Sequence, residues 1–298
     1  MSTDRKVLAV CVNWNGQQVL AETLSALSQS HYRSLEIVVV DNASTDGSLA
    51  LVPPSIRVLA LYQNRGYAAA LNAAIRESQK SVGIGGDEAP EYYYLLNNDI
   101  VVDPDALCQL VQFAEERGAG IYGPKILRHE DRSRLDAAWG HLNWSHVLCS
   151  YQGKGASDGP RWNHVKPVDL LLGCALLVHR QIFEKVGLFD ESFFMYHEEV
   201  DFLYRAARMS YPIYYCPFAQ ALHRGAHSTR QRPQQKTFWI RRNTVLFFKK
   251  HEVGTWRWVF FWSTLVASLL YNILLFRWRR VRTILEGVRE GLFPGMKP

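Results

Sequence analysis

Residues 35–48 read LEIVVVDNASTDGS, and this stretch decides the fold of the chain. The apolar run from Ile37 to Val40 is typical of a strand that is buried on both faces of a sheet. The run ends abruptly at Asp41 and Asn42, and the residues that follow include several that cap helix N termini. A buried strand that leads through a polar loop into a helix is the repeating unit of a parallel α/β sheet.

The same pattern continues on both sides of this stretch. Strands are predicted at 7–12, 56–61 and 92–96, and helices at 17–28 and 66–78. Open α/β sheets bind ligands in the crevice beyond the carboxyl ends of their strands, so polar residues at those ends are candidate ligand contacts. They are Asn13, Trp14 and Asn15, then Asp41 and Asn42, then Asn64 and Arg65, and finally Asn97, Asn98 and Asp99.

The tripeptide Asn97-Asn98-Asp99 is a candidate metal site. A carboxylate at such a position can hold Mg²⁺ or Mn²⁺, hard ions whose oxygen ligands are completed by substrate phosphates. A turn held by Asn and Asp side chains is the alternative. Downstream, residues 223–228 read HRGAHS, so His223 could complete the metal site or contact a diphosphate, with an ordinary polar loop as the alternative.

A second acidic cluster lies in the segment 193–205, FFMYHEEVDFLYR. On a helix, Glu198 and Asp201 share a face and Glu199 points elsewhere. Neighbouring negative charge and burial both raise the pKa of a carboxyl group, which suits a general base. A solvated helix N terminus, where acidic residues are favoured by the helix dipole, is the alternative.

The middle of the chain has weaker periodicity. Residues 128–166 are predicted to form long loops with short strands, and residues 168–178 are predicted to form a buried strand. The loops of 128–166, together with the loop before Glu198, would lie over the site.

Composition limits the class of protein. The chain has 298 residues, of which 48% are hydrophobic, which suits a large packed core and excludes a disordered chain. The five cysteines are scattered without a CxxC pair, which fits a reducing cytoplasmic setting. Residues 223–298 carry 15 basic and 3 acidic side chains, whereas residues 1–222 carry 19 and 25, so the C-terminal part is expected to have an anionic partner.

The stretch 259–276 contains no charged residue and is near the minimum length of about 18 residues for a spanning helix. Basic residues flank it at both ends, which argues against a simple crossing because they prefer the cytoplasmic face. Tryptophans near its ends suit an interfacial position. We expect a helix that lies on or dips into the membrane, with a spanning helix and a buried or dimer-forming helix as the alternatives.

Taken in order, these segments resemble inverting glycosyltransferase family 2, and within it the rhamnosyltransferase-like enzymes of bacterial cell-surface polysaccharide assembly. The resemblance covers residues 6–250. The segments that carry it are VNWNG (12–16), VVVDNASTDGS (38–48), NRGYAAALN (64–72), LLNND (95–99), GLFDE (187–191) and EEVD (198–201).

The resemblance implies a GT-A fold, which is a Rossmann-like α/β fold with a mixed, mainly parallel sheet flanked by helices. It also implies a nucleotide-diphosphate sugar donor, inversion at the anomeric carbon, and Mg²⁺ or Mn²⁺ as cofactor. Residues 1–250 would form the catalytic domain, with a nucleotide-binding half at 1–125 and an acceptor-binding half at 126–250. Residues 251–298 would form a basic and apolar segment of membrane-associating helices.

The resemblance also implies roles by motif position. Glu199 stands where the family has its catalytic aspartate, so the base is either Glu199 or Glu198. Asp99 and His223 would hold the metal. The residues implied in nucleotide-sugar binding are Asn13, Trp14, Asn15, Asp41, Asn42, Arg65, Gly66, Asn97, Asn98 and Asp99. The acceptor side would be formed by residues 128–166 and the loop before Glu198. Trp139 and Trp162 are candidates to stack on a sugar, with core or lid packing as the alternative, and Tyr196 and His197 complete the predicted acceptor contacts.

The expected donor is dTDP-rhamnose, and the expected acceptor is a polyprenyl-diphosphate-linked saccharide at the cytoplasmic face of the membrane, where the chain would be peripheral or monotopic. A homo-oligomer stays open. A nucleotidyltransferase fits less well, because residues 13–18 (NWNGQQ) contain no cation for a phosphate-binding loop. A non-catalytic lipid- or nucleic-acid-binding module would explain the basic C-terminal part but not the acidic residues upstream, so no nucleic-acid partner is expected.

Overall fold

A computed structural model describes residues 5–80, 89–225 and 233–295. The predicted polar segment 223–228 lies outside these residues from Ala226 onward. The strands are β1 (Val7–Asn13), β2 (Leu35–Asp41), β3 (Arg57–Ala60), β4 (Tyr92–Asn97), β5 (Ile100–Val102), β6 (Ile121–Arg128), β7 (Leu135–Ala137), β8 (Gly140–Leu142), β9 (Cys149–Tyr151), β10 (Lys166–Pro167), β11 (Ala175–His179) and β12 (Ile213–His223).

The helices alternate with these strands in the first half of the chain and follow them at its end. They are α1 (Leu20–Ser28), α2 (Tyr67–Lys80), α3 (Ala106–Arg117), α4 (Arg180–Val186), α5 (Glu198–Arg208), α6 (Pro233–Lys250), α7 (Thr255–Leu274) and α8 (Trp278–Leu292). Short 3₁₀ helices lie at Ser48–Leu51 and Pro160–Trp162.

The main sheet joins a parallel half to a mixed half. The parallel half has the order β3-β2-β1-β4. β11 then pairs antiparallel with both β4 and β6, and β12 lies parallel to β6. The sequence prediction of a mixed, mainly parallel sheet flanked by helices is confirmed.

The register of the central strands brings their carboxyl ends together. Asn13 pairs with Asp41 across β1 and β2, and Val12 pairs with Asn97 across β1 and β4. Every residue of β1 is buried, as expected for a central strand that is covered on both faces. The polar residues that follow these strands therefore lie at one edge of the sheet.

The predicted strand at 168–178 is shorter than the sequence indicated. A turn at Gly173 and Cys174 interrupts the segment, and only Ala175–His179 forms a strand. A Cβ atom at Gly173 would lie 2.9 Å from Cβ of Glu199. The apolar residues before the turn are buried without ladder pairing, so hydrophobicity alone overestimated the length of the strand.

The C-terminal helices pack unequally. α8 lies close against α6, because Gly287 and Gly291 present no side chain where a Cβ would meet the backbone oxygens of Phe238 and Arg242 at 2.6 Å. α7 is long and apolar enough to cross a membrane by length and composition, and most of it is not buried in the protein.

Candidate active site

Hydrogen bonds between the strand ends hold the edge of the sheet together. Nδ2 of Asn13 donates to Asp41 Oδ1 at 2.9 Å and to Ser48 Oγ at 2.8 Å. Nδ2 of Asn98 donates to Asn13 Oδ1 at 2.8 Å. Asp41 Oδ2 accepts the backbone N–H of Ser44 at 3.0 Å. Asn13, Asp41 and Asn98 therefore form one buried network, which joins the ends of β1, β2 and β4.

The loop after β1 fits closely over this network. Asn15 has a positive φ of 51°, its N–H donates to Ser44 Oγ at 2.9 Å, and its Oδ1 accepts the N–H of Thr45 at 2.8 Å. Gly16 follows, where a Cβ would collide with the side chains of Asn13 and Asn98. Trp14 is half-buried beside them.

Asn42, Arg65 and Gly66 form a second group. Asn42 accepts the N–H of Arg65 at 2.9 Å and donates to the carbonyl of Gly66 at 3.1 Å. Gly66 has a φ of 88° and lies against the backbone of Phe194, so this position requires a glycine. The Arg65 guanidinium pairs with Glu191 at 3.0 Å and is about half exposed.

Asp99 and His223 meet at the ends of neighbouring strands. Asp99 lies between β4 and β5 and is 6% exposed, and its Oδ1 is 3.4 Å from Nε2 of His223 at the end of β12. Nδ1 of His223 is 2.7 Å from Asp136 Oδ2. Burial lowers the pKa of His223, but the hydrogen bond to Asp136 and the charge of Asp99 raise it to about 9. A divalent cation bound at Nε2 would therefore have to displace the proton from this atom.

The facing atoms of this pair suit a divalent cation. Asp99 Oδ1 and His223 Nε2 are both buried, and neither has a hydrogen-bond partner among the described residues. Buried polar atoms that converge without partners are suited to share an ion. The described ranges hold no group of three or more His, Cys, Asp or Glu residues that could hold a metal ion, which fits an ion that substrate phosphates complete.

Helix α1 joins the two chain segments that carry this pair. Oγ1 of Thr23 donates to the carbonyl of Asn98 at 2.7 Å. The adjacent Glu22 binds His129 at 2.9 Å and accepts a hydrogen bond from Nε of Arg224 at 2.9 Å. Glu22 and Asp136 were not predicted from the sequence. Neither belongs to a motif, and the residues that they bind are far from them in the sequence.

The three carboxylates around α5 have different surroundings. Asp201 is fully buried and bound by Arg205, Lys250 and His251, at 2.8, 2.8 and 2.9 Å, so it is a structural anchor. Glu198 is also buried, and burial followed by the charge of Glu199 raises its pKa well above the ordinary value.

Glu199 is half-buried, and burial raises its pKa as well. Its Oε1 accepts a hydrogen bond from the hydroxyl of Tyr151 at 3.2 Å. Burial, and then the charges of Asp136, Asp99 and Glu199, raise the pKa of the Cys174 thiol. The turn at Gly173 and Cys174 connects the two segments: the N–H of Asn97 donates to the carbonyl of Cys174 at 3.1 Å, and the backbone of Gly173 lies against the stem of Glu199. The structure thus brings the segment of the predicted metal ligand and the predicted base to the same region.

The predicted acceptor residues divide into two pairs. Trp162 is 6% exposed, and its ring packs against that of Trp139 at 5.4 Å, while Trp139 also packs against Tyr215. This packing buries the indole of Trp162, whereas Trp139 is half-buried, and a sugar-stacking role for either stays a prediction. Tyr196 and His197 both have positive φ and form the backbone turn that leads directly into Glu198, beside the carboxylate pair.

Comparison with known proteins agrees with this architecture. The profile of the family described as Glycosyl transferase family 2 matches residues 9–187. An N-acetylglucosaminyl-diphospho-decaprenol L-rhamnosyltransferase of Mycobacterium tuberculosis is 28% identical over 291 residues, which cover 90% of this chain and 92% of that protein. The low-salt glycan biosynthesis hexosyltransferase Agl10 of Haloferax volcanii is 28% identical over 218 residues, covering 72% of this chain and 66% of that one.

A solved structure shares the fold. The mannosyltransferase PcManGT of Pyrobaculum calidifontis, in complex with GDP-Man and Mn²⁺, superposes with a TM-score of 0.59 at 16% identity, covering 99% of this chain and 89% of that one. At this identity the likeness bears on the fold alone. Because the family profile matches more than half of the chain, the chain belongs to glycosyl transferase family 2 and is a glycosyltransferase with a GT-A fold.

Proposed function

We propose that this enzyme transfers a hexose to a lipid-linked saccharide during the synthesis of a cell-envelope polysaccharide. The proposed hexose is rhamnose, and its proposed donor is dTDP-rhamnose. The observation that carries the proposal is the approach of the Asp99 segment and Glu199 at the turn of Gly173 and Cys174. A transferase of this kind needs a cation site for the diphosphate and a base for the acceptor, and these two carboxylates supply them. The name of the mycobacterial relative supports the choice of sugar and acceptor.

In the proposed reaction, Glu199 accepts the proton of an acceptor hydroxyl as the hydroxyl oxygen attacks the anomeric carbon. The bond between that carbon and the diphosphate oxygen breaks on the opposite face, so the configuration inverts. Asp99 and His223 would hold Mg²⁺ or Mn²⁺, which supplies positive charge for the departing diphosphate. Asp136 keeps the His223 ring oriented with its Nε2 directed at Asp99.

The nucleotide is proposed to lie over the polar network at the ends of β1, β2 and β4. Asn15 and Trp14 are on the loop above it, and Arg65 and Gly66 border it on the side of β3. The remaining members of the predicted set fix the shape of this surface, and they are Asn13, Asp41, Asn42, Asn97 and Asn98.

We also propose that α7 and the start of α8 dock on the cytoplasmic face of the membrane, where a polyprenyl-diphosphate acceptor is held. Leu270 and Leu274 of α7 are 56% and 75% exposed, and Phe276 is 80% exposed. The exposed cations Arg277, Arg279, Arg280 and Arg282 follow at once. An apolar surface beside clustered arginines fits an interface that contains anionic lipid headgroups.

The experiment that tests the proposed activity is a turnover assay with a panel of nucleotide sugars. The purified chain is incubated with Mn²⁺, a polyprenyl-diphosphate-linked N-acetylglucosamine, and in turn dTDP-rhamnose, UDP-glucose, UDP-galactose and GDP-mannose. We expect transfer from dTDP-rhamnose and a product of inverted configuration. Transfer only from another donor would refute the assignment of the sugar, and retention of configuration would refute the mechanism.

A further inference from the structure

Glu199 needs more support than a shorter carboxylate would. A glutamate has three side-chain torsions, and a general base must keep its oxygen within hydrogen-bond reach of the proton that it removes. Glu199 stands in the first turn of α5, where backbone N–H groups, its own among them, hydrogen-bond its carboxylate. The side chain that restricts the carboxylate further comes from another part of the chain.

Two glycines allow the side chains of Glu199 and Tyr151 to lie directly against the backbone. At Gly173, a Cβ would lie 2.9 Å from Cβ and 3.0 Å from Cγ of Glu199, so the stem of the glutamate lies directly on the glycine backbone. At Gly140, a Cβ would lie 2.9 Å from Cδ1 of Tyr151, so the tyrosine ring lies on that glycine. Neither side chain has room to turn toward its glycine.

The hydroxyl of Tyr151 contacts the carboxylate of Glu199. It donates to Oε1 of Glu199 at 3.2 Å, and this is the side-chain hydrogen bond that Glu199 makes among the residues that the structure describes. The pKa of Tyr151 is raised well above its ordinary value, by burial and then by the charge of Glu199, so the phenol stays a neutral donor. The Tyr151 hydroxyl thus occupies Oε1 of Glu199.

The hairpin of β8 and β9 gives Tyr151 a fixed position. Tyr151 pairs with Gly140 across the hairpin, and Gly140 is bonded in both directions to the backbone of Leu170. The turn of the hairpin is attached to the C-terminal helices, because the N–H of His146 donates to Oγ1 of Thr264 at 3.1 Å. The Arg257 guanidinium lies 3.6 Å from the ring centre of Trp144 in the same turn.

We propose that Tyr151 is the positioning residue of the catalytic base: it holds Oε1 of Glu199 so that Oε2 faces the acceptor hydroxyl. This inference rests on the proposed function, in which Glu199 is the base. The hydrogen bond stabilises the ionised carboxylate and so opposes the effect of burial on its pKa. Tyr151 touches neither the donor nor the acceptor in this role.

The test is the pH profile of the Tyr151→Phe variant. Removing the donor raises the pKa of Glu199, so less of the base is ionised at a given pH. We expect the acid limb of kcat to move up by about one pH unit. At pH values below the acid limb, kcat should be about tenfold lower than in the wild type, and part of this loss should be recovered at higher pH. The affinity for dTDP and the melting temperature should stay close to the wild-type values.

Tyr215→Phe is the matched control, because it also removes a tyrosine hydroxyl that donates one hydrogen bond. The hydroxyl of Tyr215 is buried and donates to the carbonyl of Trp162 at 3.0 Å, not to Glu199. Its pH profile should coincide with that of the wild type. An unshifted acid limb in Tyr151→Phe, or an equal loss at every pH, would overturn the inference. If Glu199→Gln were active, the base assignment itself would fail, which is a separate result.

Discussion

Glu198 and Glu199 are adjacent, yet their surroundings prepare them for different roles. Burial raises the pKa of both, and the charge of Glu199 raises that of Glu198 further. Oε2 of Glu198 is buried without a hydrogen-bond partner among the described residues, whereas Glu199 is half-buried and bound by Tyr151. When the pair shares one proton, Glu198 keeps it and Glu199 is the ionised member, which is the state that a base requires.

A prediction at the scale of the residue concerns Asp136. Because its carboxylate orients His223 at 2.7 Å, Asp136→Asn should weaken Mn²⁺ binding by about tenfold to a hundredfold. Isothermal titration with Mn²⁺ in the presence of dTDP measures this change. Asp131→Asn, in the exposed turn just before β7, is the control and should leave the affinity unchanged. Wild-type affinity in Asp136→Asn would show that His223 does not depend on this contact.

The sequence predicted site residues that stand in motifs, at strand ends for Asp99 and His223 and at a helix start for Glu199. It did not identify Asp136 or Tyr151. Both come from the loop-rich segment after β6, where periodicity is weak and partners are set by tertiary contacts rather than by spacing. For the same reason the sequence alone does not show whether Trp139 and Trp162 pack in the core.

Helix α5 joins the turn of Tyr196 and His197, which leads into Glu198, to the C-terminal helices. Asp201 of this helix forms ion pairs with Arg205 of the same helix, with Lys250 at the end of α6 and with His251, the next residue. The sequence predicted the helix and the shared face of Glu198 and Asp201, since both follow from helical spacing. It could not predict that Asp201 is a buried anchor, because Lys250 and His251 are about fifty residues away.

Asp201→Asn should destabilise the protein by about 3 kcal/mol, because it leaves buried cations without their counter-charge. Burial raises the pKa of Asp201, but the hydrogen bond from His251 and the charges of Arg205 and Lys250 lower it to about 2. This folded-state pKa is depressed, so the stabilisation is present above the ordinary carboxylate pKa of about 4 and is lost as the pH falls toward 2.

Urea unfolding at pH 7 and pH 3 measures both effects. The difference between Asp201→Asn and the wild type should be smaller at pH 3. Asp190→Asn is the matched control, because Asp190 also binds Lys250 but is partly exposed, and its loss should cost about 1 kcal/mol or less. Equal effects of the two substitutions would contradict the anchoring role of Asp201.

At the scale of the whole molecule, the catalytic region and the exposed helix α7 are physically connected. The hairpin that carries Tyr151 contacts Thr264 and Arg257 of α7 through its turn. An enzyme that takes its acceptor from a membrane needs its site oriented toward that surface. The connection gives α7 a means to set that orientation.

The membrane proposal predicts that Leu270→Asp/Leu274→Asp reduces binding to vesicles, because both positions are exposed and apolar. Co-sedimentation with vesicles that contain phosphatidylglycerol should show the loss, while dTDP binding is kept. Tyr62→Asp is the control, since Tyr62 is 85% exposed next to β3 and should not touch the membrane. Unchanged co-sedimentation of the double variant would exclude α7 as the docking surface.

The most direct test of the account is the rate of sugar transfer by Glu199→Gln, with Glu198→Gln as the neighbouring control. The account predicts that Glu199→Gln lowers kcat by about 10²- to 10⁴-fold and leaves dTDP affinity unchanged, because the glutamine keeps the shape of the side chain but cannot accept a proton. Glu198→Gln should retain most of the activity, since burial and then the charge of Glu199 raise the pKa of Glu198, and we expect Glu198 to hold the proton of the pair. Wild-type turnover by Glu199→Gln, or a greater loss in Glu198→Gln, would contradict the central claim that Glu199 is the base.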